Sequence, residues 1–173
     1  MKKLFQRYTD PQVLKQFLQR EADPDIQFLK YAIVGAMATV IHIGLFHLLA
    51  WKLFPALQAE DPFTKLLGLT VEPLEDAVRG RNSMYSNLTA FVFTNFFCWV
   101  LNRLWVFSPG RHHILIELGL FYLASASAIG LGTIVMVWLI QHYGMVTTLA
   151  FGANLVTSVL INYAMRKFVI FKG

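Results

Sequence analysis

Between Lys30 and Lys52 the chain runs 21 residues without a formal charge. About 20 apolar residues are what a helix needs to cross the hydrocarbon core of a bilayer. Three more runs of this kind follow, at about 84–101, between Glu117 and Gln141, and at about 145–165. A chain whose apolar residues are gathered into four such runs has few folds open to it, because in lipid every backbone polar group must be satisfied within the span. The expectation is an all-α, polytopic membrane protein with four transmembrane helices. Composition agrees: 56% of residues are hydrophobic and only 14% are charged, low for a soluble domain of this length.

The polar remainder divides the chain. Residues 1–27 read as an amphipathic N-terminal segment, with no apolar core of signal-peptide type and no cleavage expected. Asp10 and Pro11 suit a cap and first turn. Val13, Leu14, Phe17 and Leu18 form a stripe opposite Lys15, Gln16, Gln19 and Arg20. Such a helix lies either on a membrane surface or on its own protein. Residues 28–173 form the membrane domain. Within it, residues 55–83 are a polar connection in which Phe63, Leu66, Leu67 and Leu69 suggest a short amphipathic helix. Pro109-Gly110 breaks the second link, and Tyr143-Gly144 marks a tight turn. Ala124, Ala128 and Gly132 place small residues four apart on the third span, as close helix packing requires.

Basic residues set the expected orientation. Eleven of the fifteen Lys and Arg fall in the N-terminal segment, the link after the second span and the C-terminal tail. Lys52, Lys65, Arg79 and Arg81 fall on the other side, among five acids. Both termini are therefore expected in the cytoplasm, with residues 55–83 outside. The net charge of +5 belongs to loops and tails, so it is no footprint of nucleic acid. The single cysteine, Cys98, excludes an intramolecular disulfide.

The end of the second span departs from the pattern. Asn95 and Asn102 are seven apart and share one helix face. Arg103 follows, between Trp99 and Trp105. The phrase Arg103-Leu104-Trp105-Val106-Phe107 returns in weaker form as Arg166-Lys167-Phe168-Val169-Ile170, after Asn162. Two hairpins that each end in a basic-aromatic phrase read as a parallel repeat about the membrane normal.

With these residues the chain resembles the GtrA-like family of small four-span membrane proteins. The matching pieces are Phe28-Leu29-Lys30-Tyr31-Ala32-Ile33-Val34-Gly35, Leu101-Asn102-Arg103-Leu104-Trp105-Val106-Phe107, and Arg166-Lys167-Phe168-Val169-Ile170-Phe171. The fourth span differs in having Met165 where the second has Asn102. The resemblance implies a role in cell-surface polysaccharide synthesis: movement of a polyprenyl-phosphate-linked sugar between leaflets of the bacterial inner membrane. It implies a polyprenyl-phosphate lipid as ligand. A membrane glycosyltransferase and a second copy of the chain are candidate protein partners.

On that reading the binding candidates are Arg103, Asn102, Asn95, Trp99, Trp105, Arg166, Lys167, Asn162, Lys30 and Tyr31. Arginine grips phosphate through two parallel hydrogen bonds, and tryptophan stacks on sugars. The plainer reading of Lys30, Arg166 and Lys167 is interfacial anchoring by snorkelling side chains. The asparagines also serve as helix–helix glue. His42 and His47 are five apart, about 140° around a helix, so they make no close metal pair. No nucleophile–base constellation, metal set or cofactor loop stands out, so no enzyme, metal or cofactor is expected. Two further classes are a scaffold that docks a glycosyltransferase and a cation exporter of the small multidrug type. The exporter would need a carboxylate within a span.

Overall fold

The computed structural model describes residues 11–107 and 113–165, with side chains omitted at 11–14, 159 and 162–165. Within these residues the chain is helical and has no strand. In chain order the helices are α1 (Pro11–Leu18), α2 (Pro24–Lys52), α3 (Pro62–Leu67), α4 (Asp76–Leu101), α5 (Ile114–Tyr143) and α6 (Thr147–Met165). A π turn, Asn102–Val106, continues α4. By length and composition α2, α4 with its π turn, and α5 can each cross a membrane, at 29, 31 and 30 residues. At about 1.5 Å per residue they exceed a hydrocarbon core of roughly 30 Å, so their ends reach into the polar interface. The fourth, α6, has 19 residues and no Asp, Glu, Lys or Arg. The chain is thus a multi-pass membrane protein, consistent with four spans.

The helices carry apolar residues all round, as lipid-facing helices do. Val40, Leu123, Ile134 and Leu160 are among many large exposed apolar side chains. In lipid, burial brings no hydrophobic gain, so close packing and dispersion must hold the helices together.

The chain resolves into two units, and α2, α4 and α5 each contribute to both. Of the described residues, the first holds 11–41, 94–107 and 113–121. Ile26, Val34, Trp99 and Val106 are buried in it. The second holds 42–93 and 122–165. Its core is built on Phe46 and Phe151, whose rings stack at 3.9 Å, with Ala90, Met136 and Ile140 around them. Here Ala128 and Gly132 of the small-residue face are buried, whereas Ala124 is exposed.

The connection after α2 has its own structure, and its caps follow from sequence. Asp61 caps α3, accepting from the Phe63 N–H at 3.0 Å, with Pro62 at the first helical position. Gly68 ends α3 and Gly144 ends α5, both at φ +60, where a glycine costs least. Helix α4 begins at Asp76, before the span expected from about residue 84. Arg79 explains the difference. It is fully buried, yet its guanidinium bonds Asp76, the Met145 carbonyl and the Thr147 hydroxyl. A charged residue can thus enter the helix without facing lipid.

The base distribution predicts the orientation, and a labelling experiment checks it. Ser83 is fully buried and makes a poor label site, while Glu60 is exposed. In a Cys98→Ala background, Glu60→Cys should react with an impermeant thiol reagent added outside, and Ser108→Cys should not. The reverse pattern would overturn the proposed orientation.

Candidate functional site

The π turn is the local feature that shapes the end of α4. The Phe107 N–H reaches the Asn102 carbonyl at 2.8 Å, five residues back, so the α-helical ladder is broken over 102–106. π turns of this kind recur at functional sites. Two side chains from the N-terminal part of the chain reach carbonyls in the turn. Gln27 Nε2 donates to Val106 O at 3.0 Å, and Arg20 Nε donates to Leu104 O at 3.4 Å.

Arg103 and Trp99, four apart on this helix, meet Glu117 in the first turn of α5. Arg103 Nη1 donates to Glu117 Oε2, and Trp99 Nε1 donates to Glu117 Oε1 at 3.1 Å. The guanidinium carbon stands 5.9 Å from the Trp99 ring, a cation–π distance. Both partners of the ion pair keep about a quarter of their side-chain surface exposed (23% and 28%). A pair this open contributes about 0–1 kcal/mol, so an incoming anion faces only a modest competitor.

Lys30 and Trp105 form the second part. The Lys30 ammonium lies 5.7 Å from the Trp105 ring centroid. Lys30 Nζ donates to Gln19 O, and Trp105 Nε1 donates to Phe17 O. The final carbonyls of a helix lack partners within it, and the helix dipole makes that end negative. Here the carbonyls at the end of α1 find an ammonium and an indole N–H. The amphipathic segment therefore packs its end on its own protein. Lys30 is covered by these contacts.

The asparagines behave differently from one another. Asn102 Nδ2 donates to Cys98 O at 2.9 Å, which leaves Oδ1 as the atom with no partner among the described residues. Asn95 is also buried, and there it is Nδ2 that lacks a partner among the described residues. Tyr31 packs its ring 6.0 Å from Phe107. The structure thus gathers Lys30, Tyr31, Asn95, Trp99, Asn102, Arg103 and Trp105 into one unit. The Asn162 side chain, Arg166 and Lys167 lie outside the described residues.

Glu117, Gln19, Gln27 and Arg20 were not among the binding candidates read from sequence. Glu117 read as the boundary of a span, but it lies inside α5. Its one legible signal was being the only acid between Asp76 and the C-terminus.

A model of the GtrA/DPMS transmembrane domain matches residues 30–171. The chain belongs to the GtrA/DPMS transmembrane family. No curated protein and no solved structure matches it. The family domain begins at Lys30, so α1 and its contacts with Lys30 and Trp105 come from a segment ahead of it. Members of this family handle lipid-linked sugars in membranes, which places the chain in that broad role.

Proposed function

We propose that this GtrA/DPMS-family chain binds a polyprenyl-phosphate-linked sugar and passes its headgroup from the cytoplasmic to the outer leaflet. The observation that supports it best is the Arg103 cluster. A partly exposed guanidinium stands beside an indole ring, at a helix end remodelled by a π turn. The guanidinium can take a phosphate through paired hydrogen bonds, and the indole offers a face to a sugar. The isoprenoid tail can stay in the bilayer while the headgroup moves, so four helices suffice. The role is non-catalytic, with no bond made or broken. On this reading both termini are cytoplasmic and the membrane is the bacterial inner membrane.

Binding of three lipids to the purified protein tests it: polyprenyl phosphate, the same lipid carrying a sugar, and phosphatidylglycerol. Both polyprenyl lipids should bind at least about tenfold more tightly than phosphatidylglycerol, a difference of about 1.4 kcal/mol. Equal binding of all three would remove the headgroup reading and leave the scaffold that docks a glycosyltransferase.

A further inference from the structure

Three groups from three elements meet in a line in the other unit. His47, five residues before the end of α2 at Lys52, places Nε2 2.9 Å from the Thr148 hydroxyl at the start of α6. That hydroxyl stands 2.5 Å from Asp61 Oδ1. The same carboxylate accepts the backbone N–H of Phe63 at 3.0 Å and that of Thr148 at 2.8 Å. Asp61 therefore caps α3 and the first turn of α6 together. At the other end of the line, His47 Nδ1 lies 2.8 Å from the Ile43 carbonyl. His47 and Asp61 are both buried.

Counting hydrogens shows what this line requires. A carbonyl oxygen only accepts, so Nδ1 carries a hydrogen. In neutral imidazole Nε2 then only accepts, and an ionised carboxylate only accepts as well. The Thr148 hydroxyl lies between two acceptors and has one hydrogen to give. With neutral His47 and ionised Asp61, one of the two contacts must set acceptor against acceptor. One added proton completes the line. Carried on Nε2, it is donated to Thr148 Oγ, which donates in turn to Asp61.

We propose that His47, Thr148 and Asp61 form a one-proton binding site that links α2 to the start of α6. The ligand is a proton from water, and its binding makes one N–H bond at His47 Nε2 with no redox change. With the proton bound, the line holds α2 to α6. When it leaves, one contact turns repulsive and the link loosens. Among the described residues, Asp61 is the ionisable group recorded against His47. Phe63 covers one ring face at 4.2 Å, while Phe46 and Phe151 meet the ring edge-on at 5.1 and 5.7 Å. The site shares no residue with the Arg103 cluster and does not rest on the lipid reading. Whatever conformational change the protein makes, its α2–α6 end would depend on pH.

The test is ring-nitrogen NMR on full-length protein labelled with 15N-histidine in nanodiscs, between about pH 4 and pH 9. His47→Gln assigns the signal. The expected result is a His47 ring with both nitrogens protonated at the acid end and Nδ1–H alone at the alkaline end. A single neutral form throughout would overturn the proposal. In Asp61→Asn the amide can donate to Thr148 Oγ, which frees the hydroxyl for Nε2 and satisfies neutral His47. The proton affinity of His47 should then fall more than about threefold, half a unit in midpoint. Thr148→Val keeps the Asp61 carboxylate and its backbone contacts but removes the bridge, and the same fall is expected. A change of threefold or less in either folded variant would also overturn the site.

Discussion

Arg103→Lys is expected to weaken polyprenyl-phosphate binding about tenfold, and Glu117→Gln to strengthen it. Lysine keeps the charge at the end of α4 and can still pair with Glu117, so insertion and expression should hold. What it loses is the planar fork that grips phosphate through two parallel hydrogen bonds. The second substitution acts on the competitor. In the structure, Arg103 Nη1 donates to Glu117 Oε2, and a phosphate must share or displace that contact. A neutral amide gives up most of the attraction while keeping an acceptor for Trp99 Nε1. Opposite signs from two neighbouring substitutions are hard to obtain from a merely structural ion pair. A structural pair would respond to both changes in the same direction, by loss of stability. Binding left unchanged by Arg103→Lys would retire the phosphate reading of this residue.

Gly132→Val should destabilise the bundle more than any substitution at Arg103. A Cβ at Gly132 would stand 2.1 Å from Asn154 Oδ1, 2.6 Å from Ser158 Oγ and 2.9 Å from the Asn154 backbone carbonyl. The side chains can turn, but the carbonyl belongs to α6 and cannot move without the helix. Ser158 is also held, donating to Ala128 O at 3.2 Å. Overfilling a packed core costs about 1–3 kcal/mol, and a branched side chain against a fixed helix belongs at the upper end of that range. Gly130→Ala is the control, because nothing lies within 4 Å of its added Cβ. Unfolding in mild detergent should separate the two. Equal stability of both variants would mean that α5 and α6 do not pack this closely.

The helices were legible because charge is excluded from hydrocarbon, so four uncharged runs mark four spans. The turn at Gly144 was legible for a local reason, because glycine takes the positive φ found there at little cost. The contacts that give the sites their character were not. His47 and Thr148 are 101 residues apart, and Asp61 and Thr148 are 87 apart. No periodicity reports such a meeting. Glu117 was visible but read as a border, since an acid beside an apolar run usually stays in water. The π turn has no residue signature of its own. The Arg103-to-Phe107 phrase identified where α4 ends, but not how its backbone is wound there.

The carbonyls of Phe17 and Gln19 have one more consequence. They hold the donors of Trp105 and Lys30 from within the same chain, so they never dilute away. A ligand that needs either donor binds only in the fraction of molecules whose first helix has lifted, and its apparent dissociation constant rises by the inverse of that fraction. For such a ligand the leading segment would be a tethered competitor. Two preparations differing only in what is fused ahead of Pro11 would then report different affinities for the same lipid, with every residue of the family domain unchanged.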